Sequence, residues 1–242
     1  MTKAIRLDKL LGNMGYGSRK ELKGILRAGD VTVNGQVEKN PAAKILPSQD
    51  QVRFLGEEVL YREFIYLMMN KPKGVISATE DDFHRTVIDL LEEEDRVFCP
   101  YPVGRLDIDT MGLLLITNDG ELTHNLLSPK KGVPKTYYAE VTGELTEADV
   151  CEFEVGIYLE PEDYTTLPAR LQILEVSEGS KALVTIQEGK YHQVKRMFEK
   201  VGKKVLELKR LSMGSLELDP GLMPGEYREL TEQELRQLKG ES

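Results

Sequence analysis

Between Pro102 and Gly120 the chain sets Arg105, Asp107 and Asp109 in a short polar loop. Val103 and Leu106 anchor one side of it, and the apolar run Leu113-Leu114-Leu115-Ile116 follows on the other. Hydrophobic anchors of this kind can hold a carboxylate at the floor of a cleft. A cation brought close by the fold would keep it ionised. The same residue types also build ordinary turns, and Asn118-Asp119-Gly120 closes the run as one. Residue types alone leave both readings open. A hydrolase using Asp107 and Asp109 as an acid pair is a third, with little to support it.

Two further stretches carry candidate chemistry. Lys135-Thr136-Tyr137-Tyr138-Ala139-Glu140-Val141 alternates as a strand, so Tyr137 and Tyr138 point to opposite faces. Glu188 to Phe198 ends with helical spacing, placing Val194, Met197, Phe198 and Val201 on one face with Lys195 and Arg196 flanking it. His84, His124 and His192 are isolated and read as polar or capping residues. Cys99 and Cys151 match no metal or redox spacing and read as reduced packing residues. The chain has no phosphate-loop or dinucleotide fingerprint.

Stepping outward, Ile5, Leu7, Leu10 and Leu11 have helical spacing. Ser18-Arg19-Lys20-Glu21 is a capping-box pattern opening a second helix with an apolar stripe of Leu22, Ile25 and Leu26, which Gly29 should end. Arg19, Lys23 and Arg27 form a row at i, i+4, i+8, with Lys20 beside it, that could track phosphates. Val31 to Val37 reads as a hairpin about Asn34-Gly35, and Ile45, Val52 and Phe54 as short-strand positions. Glu57 to Glu63 is polar and aperiodic and reads as a linker. Beyond it, Phe64–Asn70 reads as a buried strand, Lys71–Gly74 as a turn, and Val75–Ala78 as a resumed strand. Thr86–Glu94 reads as one helix, and 121–127 and 146–154 as others. Strands are expected over 170–176 and 182–186, joined by a turn at Glu178-Gly179-Ser180, and over 205–216, with a closing helix at 231–238. Strands outnumber crossover helices, which predicts α+β with a mixed, largely antiparallel sheet.

The 242 residues allow one or two domains. No apolar run approaches a membrane span, and the opening Met1-Thr2-Lys3 leads into no secretion signal, so a cytoplasmic protein is expected. Net charge is −9, but the distribution is uneven. Residues 1–62 hold 11 Lys/Arg against 7 Asp/Glu, and 186–210 hold 8 against 3. Residues 80–95 and 141–163 each hold 8 acids. Screening over roughly 8 Å lets basic patches act despite distant acid.

Gly104-Arg105-Leu106-Asp107 resembles the motif that carries the catalytic aspartate in pseudouridine synthases of the RsuA branch. Asn70-Lys71-Pro72 resembles a supporting motif of that family. Lys135-x-Tyr137 resembles the unit whose tyrosine stacks on the target uracil. His192-Gln193-Val194-Lys195-Arg196-Met197 resembles the motif whose basic residue pairs with the aspartate. Residues 3–60 resemble the αL RNA-binding domain of a small-subunit ribosomal protein. The resemblance implies a domain at 1–60, a linker at 61–63 and a catalytic domain at 64–242. It implies Asp107 as nucleophile, Tyr137 as stacking residue and Lys195 as the aspartate's partner, with Arg196 the second candidate for that pairing. Val194 would pack on the base, and Arg105 would fill the flipped base's place or bind a phosphate. Arg19, Lys20, Lys23, Arg27 and Arg196 would contact RNA. It also implies isomerisation of a uridine in 16S rRNA, within an assembling small subunit, by a monomer needing no metal or other cofactor. The alternatives are a 23S rRNA synthase of the same branch, or a non-catalytic rRNA-binding assembly factor.

Overall fold

The structure, a computed structural model, describes residues 4–160 and 163–241. Met1-Thr2-Lys3, where the expectation of no secretion signal begins, and Glu162 of the second acidic stretch lie outside them. The described chain falls into two compact units. One runs to Ile65 and includes Glu92–Pro100; the other comprises Tyr66–Leu91 and Tyr101 onward.

In the first unit, β1 (Ile5–Arg6) leads into α1 (Leu7–Asn13) and α2 (Arg19–Ala28). Ser18 Oγ accepts from the Glu21 amide while Glu21 Oε2 accepts from the Ser18 amide, completing the expected capping box. Gly29 ends the helix at φ +91°, a conformation costly for residues with a Cβ. Leu7, Leu10, Leu11, Leu22 and Leu26 are buried together. Each contributes about 1.5–3 kcal/mol by leaving water. That leaves Arg19, Lys20, Lys23 and Arg27 exposed. Strands β2 (Val31–Val33) and β3 (Gln36–Val37) form the expected hairpin, with Asn34 and Gly35 both at positive φ. β4 (Lys44–Ile45) pairs with β1, and β5 (Val52–Phe54) with β2.

The first half of the expected linker is ordered structure. Glu57–Glu58 forms β6 on β5, and Val59 is buried in the core. The turn before it is Leu55-Gly56, both at positive φ. Leucine in that conformation is uncommon, which hides the hairpin from a composition reading.

The expected single helix over Thr86–Glu94 is two short turns instead. A 3₁₀ turn spans Ile88–Leu90, Leu91 and Glu92 are extended, and α3 (Glu93–Arg96) restarts. Thr86 and Asp89 cap each other's amides, closing the first turn. The acids Glu93, Glu94 and Asp95 then fill the first turn of α3, where a helix dipole favours negative charge. The segment following α3 packs within the first unit. Val97 lies against Gly15, and Arg62 stacks over Phe98, 5.4 Å from the ring centre.

The second unit is built on a nine-stranded sheet. Its strands are β7 (Tyr66–Lys71), β8 (Tyr101–Pro102), β9 (Met111–Thr117), β10 (Lys135–Thr142), β13 (Arg170–Val176), β14 (Gly179–Ile186), β15 (Val205–Met213), β16 (Leu216–Glu217) and β17 (Tyr227–Glu229). The main order is β13-β14-β10-β15-β9-β7-β17. Only β15 and β9 pair in parallel; the other neighbours are antiparallel. The fold is therefore α+β with a mixed, largely antiparallel sheet. β11 (Tyr158–Leu159) and β12 (Tyr164–Thr165) form a separate pair. Helices α4 (Gly120–Leu127), α5 (Glu147–Val155), α6 (Gln193–Lys200) and α7 (Glu232–Lys239) complete the unit.

The β13–β14 turn is Ser177-Glu178, because Gly179 and Ser180 already pair with Thr142 and Val141. The strand expected at Val75–Ala78 is reduced to a single bridge, Ile76 with Thr86. The Ser77 hydroxyl instead exchanges hydrogen bonds with the amide and carbonyl of Leu106, both at 3.0 Å. That segment holds a loop rather than extending the sheet. At the start of β9, Gly112 lies at φ +102° with its α-carbon pressed against the Arg210 backbone of β15. Among the described residues no helix is long and apolar enough to cross a membrane.

Candidate active site

The loop from Gly104 to Thr110 is fixed from below. Val103, Leu106 and Thr110 are buried, leaving Asp107 partly open. Lys71, at the end of β7, is wholly buried and donates to three main-chain carbonyls: Pro72 at 3.0 Å, Asp107 at 3.0 Å and Thr110 at 2.9 Å. Gly74 N donates to Ile108 O at 2.8 Å. The Asn-Lys-Pro-x-Gly turn thus pins the backbone at Asp107 and just after it, while Ser77 holds Leu106 before it.

The cation beside it comes from α6. Lys195 Nζ donates to Asp107 Oδ2 at 2.8 Å and to Asp109 Oδ1 at 2.5 Å. Burial alone would push the Lys195 pKa down, but hydrogen bonds and charge from the two carboxylates outweigh it and raise it. Burial likewise pushes Asp109 up, and the Lys195 contact brings it below the ordinary carboxylate value. Lys71 and Lys195 together match the charge of the two aspartates. Arg196, the second candidate for this pairing, turns its guanidinium to the main-chain oxygens of Tyr191 and Glu160 instead.

Around Asp107 lies a shallow hollow of about 70 Å³ walled by Tyr137, Val194, Ile186 and Leu208, with Arg105 and Lys190 on its rim. Tyr137 and Val194 are buried and Arg105 is exposed. The arrangement is a carboxylate with a fixed cation, set among one aromatic and several aliphatic walls. It suits a flat, partly polar ring.

His192 joins the site unannounced by the sequence. It stands at φ +47° just before α6, with Nε2 3.5 Å from Asp107 Oδ1 and its ring stacked on Tyr191 at 3.8 Å. Ser77 is the other residue missed, and Lys71 is legible only as part of a supporting motif, without its side chain's role. Motif order near Asp107 pointed to the right turn, but neither side chain's partner has any periodicity to betray it. Among the described residues no group of three His, Cys, Asp or Glu side chains is placed to hold a metal ion.

Lys71 sets a pH limit. Burial lowers its pKa to about 8, against opposing charge from Asp107 and Asp109. Above that value the pin loses its charge and its full set of donors. Activity is expected to fall through an alkaline limb centred near pH 8. Stability linkage has the opposite sign. From about 8 to the ordinary lysine value the unfolded chain binds more protons, so this group's contribution to stability rises with pH. Rate profiles and melting temperatures measured from about pH 6.5 to 9.5, in steps of roughly half a unit, would show the two trends diverging.

The fold and the site together define a class, an RNA base-modifying enzyme carrying an αL-type domain. The RNA pseudouridylate synthase family model matches residues 65–200, and the S4 domain model matches residues 5–52. A protein described as an uncharacterized RNA pseudouridine synthase (YtzG) of Bacillus subtilis is 54% identical over 97% of this chain and 98% of its own length. The ribosomal small subunit pseudouridine synthase A of Vibrio cholerae is 44% identical over 96% and 98%. A solved pseudouridylate synthase is 35% identical, with a TM-score of 0.68 over 97% of this chain and 99% of that one. The chain belongs to the RNA pseudouridylate synthase family. Within it, full-length similarity puts the chain in the RsuA-type branch, and it is a pseudouridine synthase.

Proposed function

We propose that this enzyme isomerises one uridine of 16S rRNA in the assembling small subunit, acting as a monomer in the cytoplasm. The observation that carries the chemistry is the Asp107 carboxylate, held by Lys195 at 2.8 Å in the hollow walled by Tyr137 and Val194. The substrate assignment rests on the full-length relatives named for the small subunit, among them those of Vibrio cholerae and Escherichia coli.

In this reading the target base leaves its stack, at a cost of a few kcal/mol, and packs between Tyr137 and Val194. Asp107 assists cleavage of the N1–C1′ bond, and the hydrogen bond from Lys195 holds its carboxylate in place. The base turns, C5 bonds to C1′, the C5 proton leaves, and N1 gains one, so no redox or phosphoryl chemistry enters. Arg105 fills the space the base vacates or binds a neighbouring phosphate. Chemical mapping of pseudouridine in 16S and 23S rRNA, with and without the gene, is the test. A uridine of 16S rRNA should lose its modification. Loss confined to 23S rRNA would overturn the substrate.

The first unit supplies affinity through Arg19, Lys20, Lys23 and Arg27 in this reading. Replacing Arg19 and Lys23 together by alanine should weaken rRNA binding most at low salt, with the loss shrinking as salt rises. It should also flatten the log–log salt dependence by about 1.4–1.8, two phosphate contacts' worth. Filter binding across a KCl series measures it.

A further inference from the structure

Two cations lie buried beside the hollow without an anion to match them. Lys135 of β10 and Arg210 of β15 are 9% and 2% exposed. Lys135 Nζ donates to the Val133 carbonyl at 3.0 Å, and Arg210 Nε to the Leu113 carbonyl at 2.7 Å. Nη2 of Arg210 is buried with no partner at all. Among the described residues, neither cation has a carboxylate partner. Buried charges of this kind are costly unless something pairs them.

Both side chains line a cavity of about 280 Å³ that adjoins the Asp107 hollow and shares Arg105, Tyr137 and Lys190 with it. That is room for roughly nine waters, enough for a phosphate and part of its sugar. One acid, Glu188, also lines the cavity, but its oxygens are taken. They accept from Leu167 N at 2.9 Å, from Gln193 Nε2 at 2.7 Å and from the Tyr164 hydroxyl. Four cations therefore surround a space whose single carboxylate faces other donors.

We propose that this cavity receives a backbone phosphate of the RNA strand next to the target uridine, with Lys135 and Arg210 at its inner end and Arg105 and Lys190 at its mouth. The inference rests on the RNA-modifying reading above and adds a subsite to it. The strand's own charge then supplies the missing counter-ion, and seating it draws the neighbouring nucleoside toward Asp107.

The test uses a short RNA bearing the uridine found by mapping, made with natural phosphates or with one neutral methylphosphonate at each flanking linkage in turn. Lys135→Gln should weaken binding of the natural RNA about tenfold, as loss of a charged hydrogen bond does. It should also lower the log–log salt slope by about 0.7. With the neutral linkage at the matching position, wild type should lose at least as much affinity as Lys135→Gln loses on the natural RNA, and Lys135→Gln should then cost far less than its tenfold, because the charge it faced is gone. Lys135→Arg should keep the wild-type slope. Should Lys135→Gln fail to fold, the exposed Lys190→Gln should give the same coupling at smaller size. Losses from the variant and the neutral linkage that simply add would overturn the proposal. So would inorganic phosphate bound by wild type, lost in Lys135→Gln, and without effect on RNA binding, since the cavity would then serve a free anion. An unchanged salt slope with normal modification sinks the phosphate cavity alone. An Asp107→Asn enzyme that still makes pseudouridine sinks the reading of the site itself.

Discussion

Asp107→Asn is expected to abolish pseudouridine formation, by at least ~10⁴-fold, or about 5.5 kcal/mol of lost transition-state stabilisation. The amide keeps the shape and loses the charged carboxylate on which the proposed reaction depends. The variant should nevertheless fold, because Lys195 retains Asp109 at 2.5 Å and is not left unpaired. The Asp107 backbone carbonyl also keeps its bond from Lys71. Its melting temperature should stay within a few degrees of wild type, which corresponds to about 1 kcal/mol in a chain of this size. Asp109→Asn is the control. Its side chain is 63% exposed against 29% for Asp107, and it lies outside the hollow, so the loss should be on the order of tenfold or less. Single-turnover assays on rRNA read both. If the two variants lose activity equally, Asp107 does not have the distinct role assigned here.

The second large effect concerns folding. Gly112→Ala should destabilise the second unit by about 3–5 kcal/mol, enough to leave much of the protein insoluble. A Cβ there would stand 2.2 Å from the Arg210 carbonyl oxygen and 2.7 Å from its nitrogen, and the backbone sits at φ +102°. Neither strand can give, because β9 and β15 lie inside the sheet, flanked by β7 and β10. Gly24→Ala makes the contrast. That glycine is inside α2 with open space where the methyl would go, so the change should stabilise by about 1 kcal/mol. Thermal unfolding of both variants decides the matter; a soluble Gly112→Ala with an unshifted midpoint would refute the close-approach argument.

What could be read from the sequence followed from local rules. Ser18 and Glu21 are three residues apart, so their mutual capping shows as a pattern, and Gly29 marks the end that the structure confirms. The alternation of β10 is plain because its two faces have different surroundings. Gly104-Arg105-Leu106-Asp107 and His192 to Met197 were legible as motifs. Their meeting, with Lys195 88 residues from Asp107, is a product of the sheet order. The pins were not legible. Lys71 reads as an ordinary turn lysine until the carbonyls of its own turn and of the Asp107–Thr110 turn converge on it. His192 reads as isolated because its approach to Asp107 depends on one left-handed backbone angle. Thr86–Glu94 carried helical spacing, yet two local capping preferences outweighed it and split the segment.

The return of Glu92–Pro100 to the first unit has a practical consequence for anyone cutting or grafting this protein. Although S4-type similarity ends at residue 52, a fragment stopped near residue 60 would lack Val97, which seats against Gly15. It would also lack Phe98 and the arginine stacked on it. Such a fragment is an incomplete module, missing the segment that packs with it in the whole chain. Joining 92–100 to its end through a short flexible tether is the natural repair.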